Sequence, residues 1–396
     1  MNKIITFIVP SRNNLEFLKL AYKSIRNLKT RHYILILNDA SIDGTQDWLE
    51  SLSDDKLIVH TNPGPERKGI VGMWDTGVEM AKTDIIFAFH ADMVAGTNLD
   101  DNVLKHLVKG KVVCATRIEP PLHPPGPEKL IKDFGIEPEE FEEDNFVYYL
   151  TNIKRMHKDK TTEGIFAPWC MYKSDYLDVG GHDRLFAPQS REDSDLFNRF
   201  QLNGYKFIQS WDGLVYHFTS RGSRYNRHAG GDTGKDSPEW QQTNQKNMRN
   251  FIRKWGHMVK HDEYMKPIIP PKYDIGFVVH NINYDLLYTL EPWCSKIYIE
   301  TDVPIIDYIS NEQKNTSYNL QSKVWYMPEN FDVKKMNDII VEFNASQLTR
   351  ENFQFITQIP EIIQDSGEIG AMEYDIFKIT INKIKTYEKE LIICKK

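Results

Sequence analysis

Between Ile4 and Arg117 the chain alternates short apolar runs with segments whose apolar residues recur at helical spacing. Ile4 to Val9 is stopped by Pro10, and Leu15, Leu18, Ala21, Tyr22, Ile25 and Leu28 then share one helical face. "HYILIL" (32–37), "KLIVH" (56–60), "DIIFAF" (84–89) and "KVVCATR" (111–117) read as further strands, separated by helical patterns at 45–52, 69–82 and 100–108. Strands joined through crossover helices lie parallel, and a parallel sheet must be covered on both faces. The expected fold class is therefore α/β: a Rossmann-like, mostly parallel sheet flanked by helices.

Polar residues punctuate this pattern at one end of the strands. Ser11 and Arg12 follow the first, Asp39 the second, Asn62 the third, and His90 and Asp92 the fourth. In open α/β sheets ligands bind at the carboxyl ends of the strands, so these side chains should converge on one crevice. A histidine and a carboxylate at the tip of a core strand are costly to bury unless something there uses them.

The alternation breaks from Ile118 to Gly164, where "EPPLHPPGPEK" is proline-dense and "GIEPEEFEEDNF" acidic. This stretch reads as an inserted segment, and long irregular loops inside compact domains are often functional lids. A helix follows over 192–204 and a strand over 214–218. "HDEYMKPIIPPKY" (261–273) reads as a linker. The expected organisation is thus a domain over 1–260, a linker, and a smaller α/β or α+β domain over 274–396 that carries no chemical motif. The net charge of −7 argues against electrostatic coating of nucleic acid. The four cysteines (Cys114, Cys170, Cys294, Cys394) form no CxxC pair, which fits a reducing compartment and argues against structural zinc. No apolar stretch approaches the roughly 18 residues that a membrane span needs. A cytoplasmic protein without an integral membrane segment is expected, with peripheral membrane contact left open.

Five motifs, "FIVPSRNN", "LNDASIDGT", "FHADM", "SREDSDLFNR" and "VYHF", occur in the order and spacing of family 2 glycosyltransferases with the GT-A fold. The resemblance spans about residues 3–256; it implies that the 118–164 segment, between the donor motifs and "SREDSDLFNR", forms part of the acceptor side, and that the C-terminal domain serves acceptor recognition or assembly. It implies a metal-dependent, inverting transfer of a sugar from a nucleotide-diphospho-sugar, such as a UDP-sugar, to a glycan, lipid-linked or protein acceptor. In such a family Pro10, Ser11 and Arg12 would pack on the base, and Asp39 would accept a hydrogen bond from it. Asp43 would support the loop or the nucleotide, and Lys68 and Gly69 would approach the nucleotide at a helix N-terminus. Asp92 would hold Mn²⁺ or Mg²⁺, and His217 would complete the metal site. His90 stands where the family has the first Asp of its Asp-x-Asp motif, and is expected to contact ribose or phosphate through water. Arg221 and Arg224 lie on a Gly-rich stretch expected to close on the diphosphate.

An inverting transfer needs a base for the acceptor hydroxyl. The resemblance gives that role to Asp193, with Glu192 beside it and Asp195 as a second candidate. On the residues alone, acids in a first helical turn complement the helix dipole, and Asp43 suits an Asx turn before Gly44. Two other functions fit parts of the pattern: a sugar nucleotidyltransferase, and a nucleotide- or glycan-binding module that has lost catalysis.

Overall fold

A computed structural model describes residues 3–222, 224–300, 303–328, 332–333 and 335–393. Cys394 lies outside them, while Cys114, Cys170 and Cys294 are buried free thiols.

In the first unit the strands are β1 (Ile5–Ser11), β2 (Tyr33–Asp39), β3 (Leu57–Asn62), β4 (Ile85–Ala88), β5 (Met93–Ala95), β6 (Lys111–Glu119), β7 (Lys129–Ile131), β8 (Thr161–Thr162), β9 (Trp169–Tyr172) and β10 (Lys206–His217). They form one sheet in the order β3-β2-β1-β4-β9-β6-β10-β5, with β7 beside β6 and β8 beside β10. Pairings among β1, β2, β3 and β4, and between β6 and β10, are parallel, as the alternation predicts. β9 is antiparallel to both β4 and β6, and β5 is antiparallel to β10. The helices are α1 (Leu15–Arg26), α2 (Thr45–Ser51), α3 (Gly69–Met80), α4 (Leu99–Leu104), α5 (Glu143–Met156), α6 (Lys173–Asp178), α7 (Glu192–Leu202) and the first part of α8 (Pro238–Trp255).

The periodicity of α1 is physical: Leu18, Ala21 and Ile25 are buried, in one core with Phe7, Ile36 and Phe87. The rings of Phe7 and Phe87, on neighbouring strands, stack with centroids 4.9 Å apart, a geometry worth about 0.5–1.5 kcal/mol beyond the area it buries. Against the sheet's other face, α3 approaches so closely that a Cβ at Gly77 would lie 2.5 Å from Ile8 Cγ2.

Two expectations need correction in this unit. The 118–164 segment is not wholly irregular. It contains β7, β8 and the 14-residue α5, whose Phe146 and Leu150 pack one turn apart against Tyr216 and Phe218. The strand expected at 214–218 is the end of the longer β10, whose register slips between Ser210 and Leu214 and so masks its period-2 pattern.

A second compact unit comprises Gln245–Lys260 and Ile269–Ile392, while His261–Ile268 belongs with the first. This differs from the expected 1–260, 261–273 and 274–396 division, because the second half of α8 carries residues that the second unit buries. Its elements are β11 (Ile275–His280), α9 (Tyr284–Leu290), β12 (Lys296–Ile299), α10 (Ile305–Glu312), β13 (Val324–Tyr326), β14 (Ile339–Asn344), α11 (Arg350–Ser366), β15 (Gly370–Tyr374) and β16 (Phe377–Ile381). The strand order is β13-β12-β11-β14-β16-β15, parallel through β14 and antiparallel beyond. No helix among the described residues is long and apolar enough to cross a membrane.

Within that unit Glu291 is fully buried. It accepts from Arg253 Nη2 at 2.6 Å, Lys323 Nζ at 2.7 Å and Tyr308 Oη at 2.9 Å. Arg253 and Arg249 both also reach Glu312. Removing one member of such a network strands the others as buried charges. Glu291→Ala is therefore expected to destabilise the protein by about 3–5 kcal/mol, read as a lower urea midpoint by circular dichroism.

Candidate active site

At the carboxyl ends of β1, β2 and β4 lies a cavity of about 400 Å³, closed on its other side by the start of α7, the end of β10 and the start of α8. It is lined by Pro10, Ser11, Arg12, Asp39, Gly69, His90, Asp92, Glu192, Asp193 and His217, ten of the residues singled out from the sequence. Four buried polar atoms on its lining, Ser11 Oγ, Arg12 Nε, Asn14 Nδ2 and Glu192 Oε2, have no hydrogen-bond partner among the described residues. Buried polar groups left unmade are expensive, so a cavity carrying several is built for a polar ligand.

The wall formed by β1, β2 and α3 is held by Asp39. Its Oδ1 accepts from Asn62 Nδ2 at 2.7 Å and from the Lys68 backbone N–H at 2.9 Å, and its Oδ2 from the Gly69 N–H at 2.8 Å. Asp39 thereby satisfies the free N–H groups that open α3. Gly69 has φ +71°, and a Cβ there would lie 2.3 Å from Pro188, so only glycine allows this junction.

Opposite, the end of β4 turns into β5 through His90 and Asp92. The ligand atoms of His90, Asp92 and His217 all lie within 4.8 Å of one another. Asp92 Oδ1 is 3.6 Å from His217 Nε2, and Asp92 Oδ2 accepts the Arg221 backbone N–H at 2.8 Å. His217 Nδ1 is 2.7 Å from Glu119 Oε1. Burial works against charge on all three acidic and basic groups here. For Asp92 it is outweighed by His217, which holds the carboxyl well below its usual range. For His217 it is outweighed by Asp92 and Glu119, which lift the imidazole to about 9. For His90 burial dominates and lowers the pKa. Two imidazoles and one carboxylate converging on a point suit a divalent cation with mixed nitrogen and oxygen preference.

The helix α7 begins at Glu192, behind Ser190 (φ +77°) and Arg191 (φ +68°), whose left-handed backbones swing its first turn into the cavity. Glu192 is buried, and its pKa is raised well above the usual value by that burial and by the adjacent Asp193. Asp195 points elsewhere: it is fully buried and accepts from Arg199 Nε at 2.9 Å, which removes it as a base candidate.

Four expected ligand residues lie off the cavity. Asp43 clamps the β1 and β2 loops, accepting from the Leu15 N–H at 2.9 Å and Thr45 Oγ1 at 2.6 Å. Lys68 contributes its backbone N–H to Asp39 rather than a side chain to the lining. The Arg221 guanidinium, expected on a diphosphate, instead donates to Thr233 Oγ1 at 2.7 Å and the Ile136 carbonyl at 2.6 Å and pairs with Glu137. The Arg224 guanidinium is bound by Asp236 and lies 4.3 Å over the Trp240 ring. Both arginines found acidic partners on segments that a linear reading could not bring to them. Conversely, Arg67, Arg191 and Trp240 line the cavity and were not anticipated as lining residues. Arg67 stood next to the chosen Lys68, but Trp240 carried no motif at all. Trp74 is mostly core, stacked on Trp169 at 5.9 Å.

Residues 6–177 match the profile of a family described as glycosyl transferase family 2. No curated protein gives a significant match. Among solved structures the chain is similar to the mannosyltransferase PcManGT from Pyrobaculum calidifontis in complex with GDP-Man and Mn²⁺, at 17% identity over 67% of this chain and 68% of that one, with a TM-score of 0.42. It is also similar to GalNAc-T7 with UDP, GalNAc and Mn²⁺ (13% identity, TM-score 0.41), covering 54% of this chain and 44% of that one. A further similarity is to S. aureus TarS 1–349 in complex with UDP (13% identity, TM-score 0.39), covering 54% and 60%. The chain thus spans less than two thirds of GalNAc-T7 and of TarS 1–349.

The raised pKa of Glu192 has a direct consequence for stability. The unfolded chain ionises this residue near pH 4.3, whereas the folded chain keeps its proton to higher pH. Between those limits the unfolded state binds fewer protons, so this contribution is whole at low pH and is lost as pH rises through the folded value. Glu192→Gln removes it. The variant's stability relative to wild type is expected to rise between pH 4.5 and pH 8, by about 1.4 kcal/mol for each unit of upward shift, as measured by urea unfolding at both pH values.

Proposed function

Since residues 6–177 match the profile of glycosyl transferase family 2, we propose that the protein transfers a sugar, with inversion, from a nucleoside-diphosphate sugar to an acceptor hydroxyl. The observation that carries this reading is that the start of α7, with Asp193, and the His90, Asp92 and His217 cluster line the same cavity. The profile match, to glycosyl rather than nucleotidyl transfer, supports this reading over the nucleotidyltransferase alternative.

In this reading Ser11 Oγ, Arg12 Nε and Asn14 Nδ2, buried without partners among the described residues, bind the nucleotide's polar groups. Trp240 and Arg67 flank it. His90, Asp92 and His217 would hold a divalent cation, Mn²⁺ in preference to Mg²⁺ given two imidazole donors. Such a cation neutralises the charge that grows on a departing diphosphate. Asp193 takes the proton of the acceptor hydroxyl as its oxygen attacks the anomeric carbon. Glu192, buried and with its pKa raised, suits a hydrogen-bond donor that orients that hydroxyl. The acceptor, a glycan, a lipid-linked saccharide or a protein, approaches from the α7 side.

Asp193→Asn tests the base assignment. The amide keeps the carboxylate's shape but cannot take a proton, so single-turnover transfer is expected to fall by about 10²- to 10⁴-fold. Binding of a nucleoside diphosphate, followed by calorimetry, should stay within twofold of wild type. A variant that melts slightly lower yet transfers at the wild-type rate overturns the assignment, because loss of a first-turn charge alone costs about 0.3–1 kcal/mol of helix stability and leaves the chemical step untouched.

A further inference from the structure

We propose that Glu119 is the positioning residue of the metal centre: it fixes the His217 ring so that Nε2, and not Nδ1, is presented to a cation beside Asp92. The inference rests on the reading of His90, Asp92 and His217 as metal ligands.

The geometry begins with strand register. β6 and β10 run parallel, and the pairing of Ile118 with Tyr216 brings the next residues, Glu119 and His217, side by side at the ends of both strands. Glu119 Oε1 lies 2.7 Å from His217 Nδ1, and the residue is 2% exposed. An imidazole has two distinct nitrogens, and the hydrogen bond made by one decides which is left for a metal. With Nδ1–H donating to Glu119, the lone pair available to a cation is on Nε2, which faces Asp92 Oδ1 at 3.6 Å.

Glu119 is itself braced. Lys129 Nζ donates to its Oε2 at 2.9 Å and Arg117 Nε lies 3.1 Å from its Oε1, while Glu128 takes the other end of Arg117 at 3.0 Å. These four side chains balance in charge without His217. A cation that displaces the second proton of His217 therefore does not strand Glu119 as an unpaired buried anion, a state that is strongly unfavourable. The brace also draws on the inserted segment, because Lys129 sits on β7, which pairs with β6 from Arg117 to Glu119. The competing explanation is that Glu119 is only a member of a buried ion-pair network that stabilises the fold.

The test is calorimetry with Mn²⁺ alone on the full chain, for wild type, Glu119→Gln, Glu119→Asp and Asp92→Asn, with melting temperatures measured in EDTA. Loss of a residue that orients a metal-bound histidine typically weakens metal binding by about 10- to 100-fold. That loss is expected for Glu119→Gln. It is also expected for Glu119→Asp, which keeps the charge in the network but withdraws the carboxylate from Nδ1, and which decides the matter if the glutamine variant does not fold. A purely structural role predicts lower melting temperatures with wild-type Mn²⁺ affinity in both, and that result overturns the proposal. If Asp92→Asn loses Mn²⁺ while both Glu119 variants keep it, only Glu119 is misassigned. If wild type binds no Mn²⁺, or Asp92→Asn binds it unchanged, the metal reading fails and this inference fails with it.

Discussion

A carboxylate buried at the end of a core strand is the constraint around which the first unit is arranged. Asp92 leaves β4 with 5% of its surface exposed, where a bare charge would be strongly penalised. Its compensation comes from distant parts of the chain: the imidazole of His217, and the backbone N–H of Arg221. To supply them, β10 must run past β5 in antiparallel register, pairing His217 with Met93, and the chain must turn immediately after His217. The parallel pairing of β10 with β6 places Glu119 beside His217. One buried charge thus ties together β4, β5, β6, β10 and the loop that follows, and these bound one side of the cavity.

The opposite side is organised by a second buried carboxylate with a different role. Asp39 spends three of its acceptor positions on Asn62 and on the first N–H groups of α3, so it welds β2, β3 and α3 into one surface. That surface stays close only because Gly69 has no side chain to meet Pro188. Between the two carboxylates, the strained entry to α7 brings Glu192 and Asp193 to the cavity. Two acids adjacent in sequence differ in setting: Glu192 is buried with its pKa raised, while Asp193 is partly open to the cavity. Paired carboxyls in unlike environments are a recurrent basis for dividing proton-transfer roles.

The second unit draws its cohesion from another source. Its parallel core of β11, β12, β13 and β14 is joined to α8 by the Glu291 and Glu312 network, in which the side chains of Arg249, Arg253 and Lys323 are all buried. Buried networks of this kind add little net stability but are costly to break, so they define which segment belongs to which unit. This is why the compact division falls inside a helix rather than at the proline-rich 261–273 segment.

Much of this was determined locally. Period-2 and period-3.6 patterns in β1, α1, β2 and β4 are consequences of which side chains must face a core, and any short window shows them. The convergence of Ser11, Arg12, Asp39 and Asp92 also followed, because parallel strands with crossover helices put all their carboxyl ends on one side. Where the pattern was weak, the reading fell short for a local reason as well: β10 has a register slip that hides its alternation. The tertiary structure decided what pairs with what. The guanidiniums of Arg221 and Arg224 were drawn to Glu137 and Asp236, Asp195 was taken by Arg199, and Glu119 was brought to His217 from 98 positions away. Side-chain type is written in the chain, but the energy of a charge depends on its neighbours and its burial, and these exist only once the chain has folded.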